Sequence, residues 1–240
     1  SDEEQYNIVC CAKDVINHRV PLISGAGSNN TYHAARLALS ARNAGADALL
    51  CVTPYYNKAN EEGLIEHFNF VANHANLPLI IYNVPSRTGM SISSKVYRKL
   101  CENRLICAVK EASGNIANIA RTRALCGEEL YIYAGNDDYI VPVMSLGGKG
   151  VISVLGNILP DKVHEICALC ESGSFAAAAK LQMDLMPLID SLFSDVNPIP
   201  IKEALALCGF NAGPMRLPLY PLSEEKRDKL LSVLKDYGLV

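Results

Sequence analysis

The chain has 240 residues, 50% hydrophobic and 20% charged, which suits one large domain or two small ones with a substantial core and excludes a disordered chain. Its 22 Lys plus Arg nearly balance 25 Asp plus Glu, for a formal net charge of -3, which argues against the basic footprint of a nucleic-acid or acidic-membrane binder. No apolar run approaches the roughly 20 residues of a membrane span, and the opening SDEEQ is acidic where a secretion signal is basic, so a cytoplasmic location is expected.

Ser1-Asp2-Glu3-Glu4 is a capping box, which starts a helix at the first residue. RVPLIS (19–24) then reads as a strand, and YHAARLALSARNAG (32–45) as a helix closed by Gly45. The same alternation repeats through strands 46–53, 77–84, 105–111, 130–135 and 150–155, with helical stretches at 61–75, 93–103, 115–127 and 138–148, and Gly127 at a helix end. The strands are apolar on both faces and start about 20 to 30 residues apart, as buried parallel strands joined by helical crossovers do. From residue 160 the pattern is all helical: 160–173, 174–193, a Pro-broken 197–210, and 223–238. No low-complexity linker sets this region apart, so a single domain with a helical tail is expected. The pattern fits an open doubly wound sheet or a (β/α)8 barrel short of two strands, and periodicity does not choose between them.

In parallel α/β folds the reactive groups lie at the carboxyl ends of strands. Four ends are rich in polar and aromatic residues: Thr53-Pro54-Tyr55-Tyr56-Asn57, Tyr82 to Gly89, Val109 to Asn115, and Gly135 to Asp138. Lys110 stands out because it follows the apolar Ile106, Cys107, Ala108 and Val109, where a charged amine is costly unless it is neutral or paired. A neutral amine attacks a ketone to form a Schiff base; the competing reading is an ion pair with Glu111 or Asp137. Arg87 offers a planar fork for a carboxylate or is simply solvated, while Tyr56 and Tyr82 either relay protons or pack with their hydroxyls satisfied.

Other motifs point away from cofactors. Gly25-Ala26-Gly27-Ser28-Asn29-Asn30 has Asn30 where a dinucleotide-binding loop needs its third glycine. The nine cysteines lack a secreted framework's spacing and are expected as reduced, buried thiols; Cys167 and Cys170 form a CxxC inside a helix with no second pair. His67 and His74, seven apart, mark one helix face.

TPYYN, YNVPSRTG and VKEASGN, with GVISV and NPIPIK further on, resemble the dihydrodipicolinate synthase family over essentially the whole chain. The wider group of pyruvate-dependent class I aldolases, including N-acetylneuraminate lyase, shares the Tyr and Lys motifs, while the arginine in YNVPSRTG and the paired tyrosines favour the synthase. The resemblance implies a (β/α)8 barrel with a C-terminal helical region, here an incomplete barrel over 1–157 and the last barrel helix and helical tail over 158–240. It implies condensation of pyruvate with aspartate semialdehyde through an imine, without a cofactor or metal, in a homo-oligomer. By position, Lys110 matches the imine-forming lysine, Tyr82 the adjacent proton shuttle, and Tyr56 the tyrosine lent across a tight dimer interface. Arg87 matches the arginine that receives the semialdehyde carboxylate, and Gly135 and Ile152 match backbone positions of the pyruvate pocket.

The family pattern also has two βα units ahead of the helix that opens this chain, with a Gly-Thr-Thr-Gly-Glu motif that these residues lack. Weak or lost activity is therefore expected, or a silent homologue that survives as an oligomeric or binding protein; upstream residues in the natural gene are the further expectation. Six strands taken from an eight-strand cycle leave apolar edges at VPLIS and VISVL, which invite pairing. Asn29 and Tyr55 match a lysine-feedback site, but His33 replaces its usual acid and Asp2 and Gln5 its histidines, so lysine sensitivity is expected to be weak.

Overall fold

A computed structural model describes residues 1–240, which form two compact units, Ser1–Gly135 with Leu146–Lys149, and Asn136–Ser145 with Gly150–Val240. The first opens with helix α1 (Asp2–Ile16), whose capping box is formed as its sequence dictates: Ser1 Oγ accepts from Glu4 N at 3.2 Å, and the Ser1 amine donates to Glu4 Oε2 at 2.6 Å. Strands β1 (Ile23–Gly25), β2 (Ala48–Val52), β3 (Leu79–Asn83), β4 (Ile106–Glu111) and β5 (Tyr131–Ala134) pair in parallel, each with the next in the chain. Between them run α2 (Thr31–Ala44), α3 (Glu61–Ala75), α4 (Pro85–Thr88), α5 (Ser94–Leu100) and α6 (Ile116–Cys126).

Each crossover obeys local chemistry. Asn30 caps α2, accepting from His33 N at 3.0 Å, and Asn60 caps α3, accepting from Gly63 N at 2.9 Å. Gly45 ends α2 at φ 96°, a left-handed conformation that suits glycine. On α3, Leu64, His67, Phe68, Val71, Ala72 and Ala75 are buried, the i, i+3, i+4, i+7 stripe of a helix that covers a sheet. Phe68, Leu49, Leu79, Ile81 and Ile106 are almost wholly buried and form the apolar packing that sets the strands in place. The ladder from β3 to β4 carries an irregularity: Leu79 pairs with Ile106, but Ile80 pairs with Ala108, so β4 holds one extra residue before the site.

In the second unit, α7 (Ile140–Ser145), β6 (Gly150–Val151), α8 (Pro160–Glu171), α9 (Phe175–Asp184), α10 (Met186–Leu192), α11 (Ile199–Leu207) and α12 (Glu224–Asp236) gather Ile140, Leu155, Ile166, Leu188, Leu192, Leu230 and Leu234 into one apolar cluster. Buried Gln182 is satisfied at both ends, donating to Asp138 O at 2.7 Å and accepting from Val141 N at 2.9 Å.

Several expected elements change. The strand expected over 150–155 stops at Val151, because the Val154 and Leu155 amides turn to donate to Asp137 Oδ2 at 3.0 and 2.9 Å. The helix expected over 174–193 is two helices, with Pro187, which has no amide proton to donate, in the first turn of the second. Helix 138–148 contracts to α7 behind a 3-10 turn at Asp137–Tyr139. The cysteines are all unbridged, but Cys11 is exposed rather than buried. His67 is buried and His74 exposed, although seven residues separate them on one helix.

Candidate functional site

The carboxyl ends of β3 and β4 place chemistry on both faces of the sheet. Tyr82 pairs in register with Lys110, and Lys110 with Tyr133 on β5, so these three side chains share a face. The Lys110 amine lies 4.3 Å from the centroid of the Tyr82 ring. Burial raises the Tyr82 phenol above its ordinary pKa, and the nearby Arg87 guanidinium works the other way. Arg87 reaches this neighbourhood because α4 is a single turn directly after β3, closed by Gly89 at φ 74°. The phenol of Tyr133 is also raised by burial.

One residue further on, Asn83 and Glu111 pair in register and face the other way. Glu111 is 4% exposed and its carboxylate accepts from Asn83 Nδ2 at 3.0 and 3.1 Å, from Tyr97 Oη at 3.1 Å, and from Ser113 N at 2.9 Å. The Tyr97 phenol is pushed well above its ordinary value, first by complete burial and then by the Glu111 carboxylate. A carboxylate held by these donors is built into the wall behind the site, which weakens the ion-pair reading of Lys110 with Glu111. Asp137, the other partner considered, gives Oδ2 to Val154 and Leu155, while its Oδ1 is buried without a hydrogen bond.

Gly135 follows β5 and donates to Glu111 O at 2.8 Å. A Cβ there would lie 2.6 Å from Ala112 Cβ, so the close approach requires glycine. Tyr56 stands apart: its side chain is 89% exposed on a turn with φ 71°, near α4 only through Tyr56 N donating to Thr88 O at 3.4 Å. Ile152 follows β6 in the second unit and is half-buried. At the positions of the resembled lysine site, His33 Nε2 lies 3.1 Å from Asp2 Oδ2 and its Nδ1 lies 3.3 Å from Ser28 Oγ. The structure thus brings Lys110, Tyr82 and Arg87 together and joins Gly135 to the end of β4, but leaves Tyr56 in solvent. Sequence reasoning missed Asn83 and Tyr97; the only local signal was an acid immediately after the strand lysine.

An amine at a parallel strand end, against a phenol and with a guanidinium close by, is the equipment of a carbonyl-condensing α/β protein. The chain belongs to the dihydrodipicolinate synthetase family, whose model matches residues 1–237. It is 48% identical over 227 residues to 4-hydroxy-tetrahydrodipicolinate synthase 1 of Clostridium acetobutylicum, covering 95% of this chain and 78% of that relative. The crystal structure of dihydrodipicolinate synthase from Aquifex aeolicus superposes with a TM-score of 0.97 at 39% identity, covering 100% of this chain and 82% of that one. The chloride-inhibited enzyme from Acinetobacter baumannii, complexed with pyruvate, gives 0.96 at 38% identity, covering 100% and 82%. No helix here is long and apolar enough to cross a membrane.

Proposed function

We propose that this chain forms an imine between Lys110 and pyruvate and condenses it with aspartate semialdehyde, as a cytoplasmic lyase of the dihydrodipicolinate synthase type. The observation that carries the reading is the Lys110 amine 4.3 Å from the Tyr82 ring centroid, at adjoining strand ends. Its relatives' names, and the pyruvate in the Acinetobacter baumannii complex, support the substrate.

In this mechanism the neutral Lys110 amine attacks C2 of pyruvate, the carbinolamine loses water, and the imine draws electrons so that the methyl carbon gives up a proton. The resulting enamine attacks the aldehyde carbon of the second substrate. Tyr82 moves the protons, Arg87 holds the incoming carboxylate bidentately, and backbone at Gly135 and Ile152 lines the pyruvate. Exposed Tyr56 suits a role in a second copy's proton relay, which makes the working form a homo-oligomer. The strands are read as an arc of a (β/α)8 barrel, with residues 1–157 as its barrel portion and 158–240 as the last barrel helix and helical region. The Asp2 and His33 pair, acid and base exchanged relative to the resembled pattern, accompanies weak lysine sensitivity.

Incubation with pyruvate and borohydride, followed by intact mass and peptide mapping, tests the reading. A three-carbon adduct on Lys110, absent from Lys110→Ala, supports it; a folded chain without an adduct refutes it and favours a silent homologue.

A further inference from the structure

We infer that Glu111 is a positioning residue, which fixes the register of β4 so that Lys110 faces Tyr82; this rests on the imine-forming reading of Lys110. The reason lies in the ladder. Below the site the pairing of β3 with β4 slips by one residue between Leu79 and Ile80. Side chains alternate along a strand, so a slip of one residue turns every following side chain to the opposite face. Whether Lys110 or one of its neighbours meets Tyr82 is therefore decided by whatever pins the strands above the slip.

The pin is the next register pair. Asn83 is fully buried, and its amide nitrogen reaches both oxygens of Glu111, at 3.0 and 3.1 Å. Asn83 Oδ1 accepts from Ile92 N at 3.3 Å, tying the segment between α4 and α5 to the same centre. Tyr97 on α5 and the amide of Ser113 complete the carboxylate's partners. The backbone adds two bonds: Ala112 N donates to Asn83 O at 2.9 Å, and Gly135 N to Glu111 O at 2.8 Å. One acidic side chain thus gathers β3, β4, α5 and the loop after β4, one residue beyond the reacting pair and on the opposite face. Facing away from Lys110, it acts on the reaction only through the strand. Its removal leaves buried donors unpartnered and frees the β4 end to shift, and a reacting group displaced by about an ångström loses about 10²-fold in rate.

The test separates rate from binding. In the full chain, the maximal rate of borohydride-trapped adduct on Lys110 and the pyruvate concentration at half-saturation are measured for wild type, Glu111→Gln, Tyr97→Phe and the exchange Asn83→Asp with Glu111→Gln. Glu111→Gln is expected to lower the maximal rate about 10- to 100-fold while half-saturation stays within about threefold. The exchange restores a donor facing an acceptor with the polarity reversed, and is expected to recover most of that loss. If Glu111→Gln does not fold, Tyr97→Phe, which removes one bond without changing shape, is expected to slow trapping about threefold. A folded Glu111→Gln that traps at the wild-type rate, an exchange that recovers nothing, or, where Glu111→Gln does not fold, a Tyr97→Phe at the wild-type rate overturns the inference while leaving the imine reading intact. A wild-type chain that forms no adduct overturns both.

Discussion

Gly135→Ala is the sharpest probe of how closely the ends of β4 and β5 approach. The backbone of Gly135 is not in the left-handed region, so the perturbation is purely steric. An added Cβ would lie 2.6 Å from Ala112 Cβ, 3.0 Å from Glu111 O and 3.1 Å from Ala112 Cα, none of which can rotate aside. Carbon atoms in good contact sit about 3.5 Å apart, so relief demands a movement of about 0.9 Å. Overpacking of this kind costs about 1–3 kcal/mol. The movement is delivered to Glu111 and Ala112, directly after Lys110, the proposed imine-forming lysine, and a shift of that size is expected to cost about 10²-fold in rate. Urea denaturation followed by circular dichroism reads the first effect, and borohydride trapping of pyruvate reads the second. Gly25→Ala is the control: nothing lies within 4 Å of its added Cβ and its φ is not positive, so stability is expected to stay within about 0.5 kcal/mol. A Gly135→Ala chain with wild-type stability and trapping rate would refute the argument, as would equal losses from the two variants.

Burial drags His67 from its ordinary 6.5 down to about 4, with Nδ1 2.9 Å from Thr31 Oγ1 and Nε2 without a partner. Because the folded state disfavours the proton, its contribution is complete above pH 6.5 and falls by about 1.4 kcal/mol per unit as pH drops towards 4. Denaturant midpoints between pH 6.5 and 5 are expected to flatten in His67→Phe; an unchanged slope rules out His67 as the source. Thiol labelling at pH 8 is expected to modify exposed Cys11 quickly and to spare Cys51, buried and raised to about 12, until the chain unfolds. Equal labelling rates would mean that the core around β2 is open.

Periodicity located the strands within a few residues because parallel strands buried on both faces need unbroken apolar runs, and β3 and β4 have them. Lys110 was legible for the same reason: the cost of a charge in such a run marks it out. Two things were not legible. The strand at 150–155 has an apolar composition, but its end is set by Asp137, more than a dozen residues earlier, taking the amides of Val154 and Leu155. The hydrogen-bonded centre at Glu111 has the same character, since Asn83, Tyr97 and Glu111 come from separate segments and meet only after the crossovers are packed.

The two faces of β3 and β4 divide the labour between the proposed reacting pair, Lys110 and Tyr82, and the hydrogen-bonded pair Asn83 and Glu111 behind it. A nucleophilic amine must remain free to bond carbon, so few protein contacts can restrain its own side chain without blocking the chemistry. Restraint has to come through the backbone, and alternation along a strand supplies it, because the residue after the nucleophile points away from the substrate and can be fully hydrogen-bonded. Glu111 occupies that place, and its bonds to Asn83 transmit the same restraint to the residue after Tyr82. The adjacency of Lys110 and Glu111, which on sequence alone suggests an ion pair, is therefore better understood as one strand carrying its proposed nucleophile and the anchor inferred for it on opposite sides.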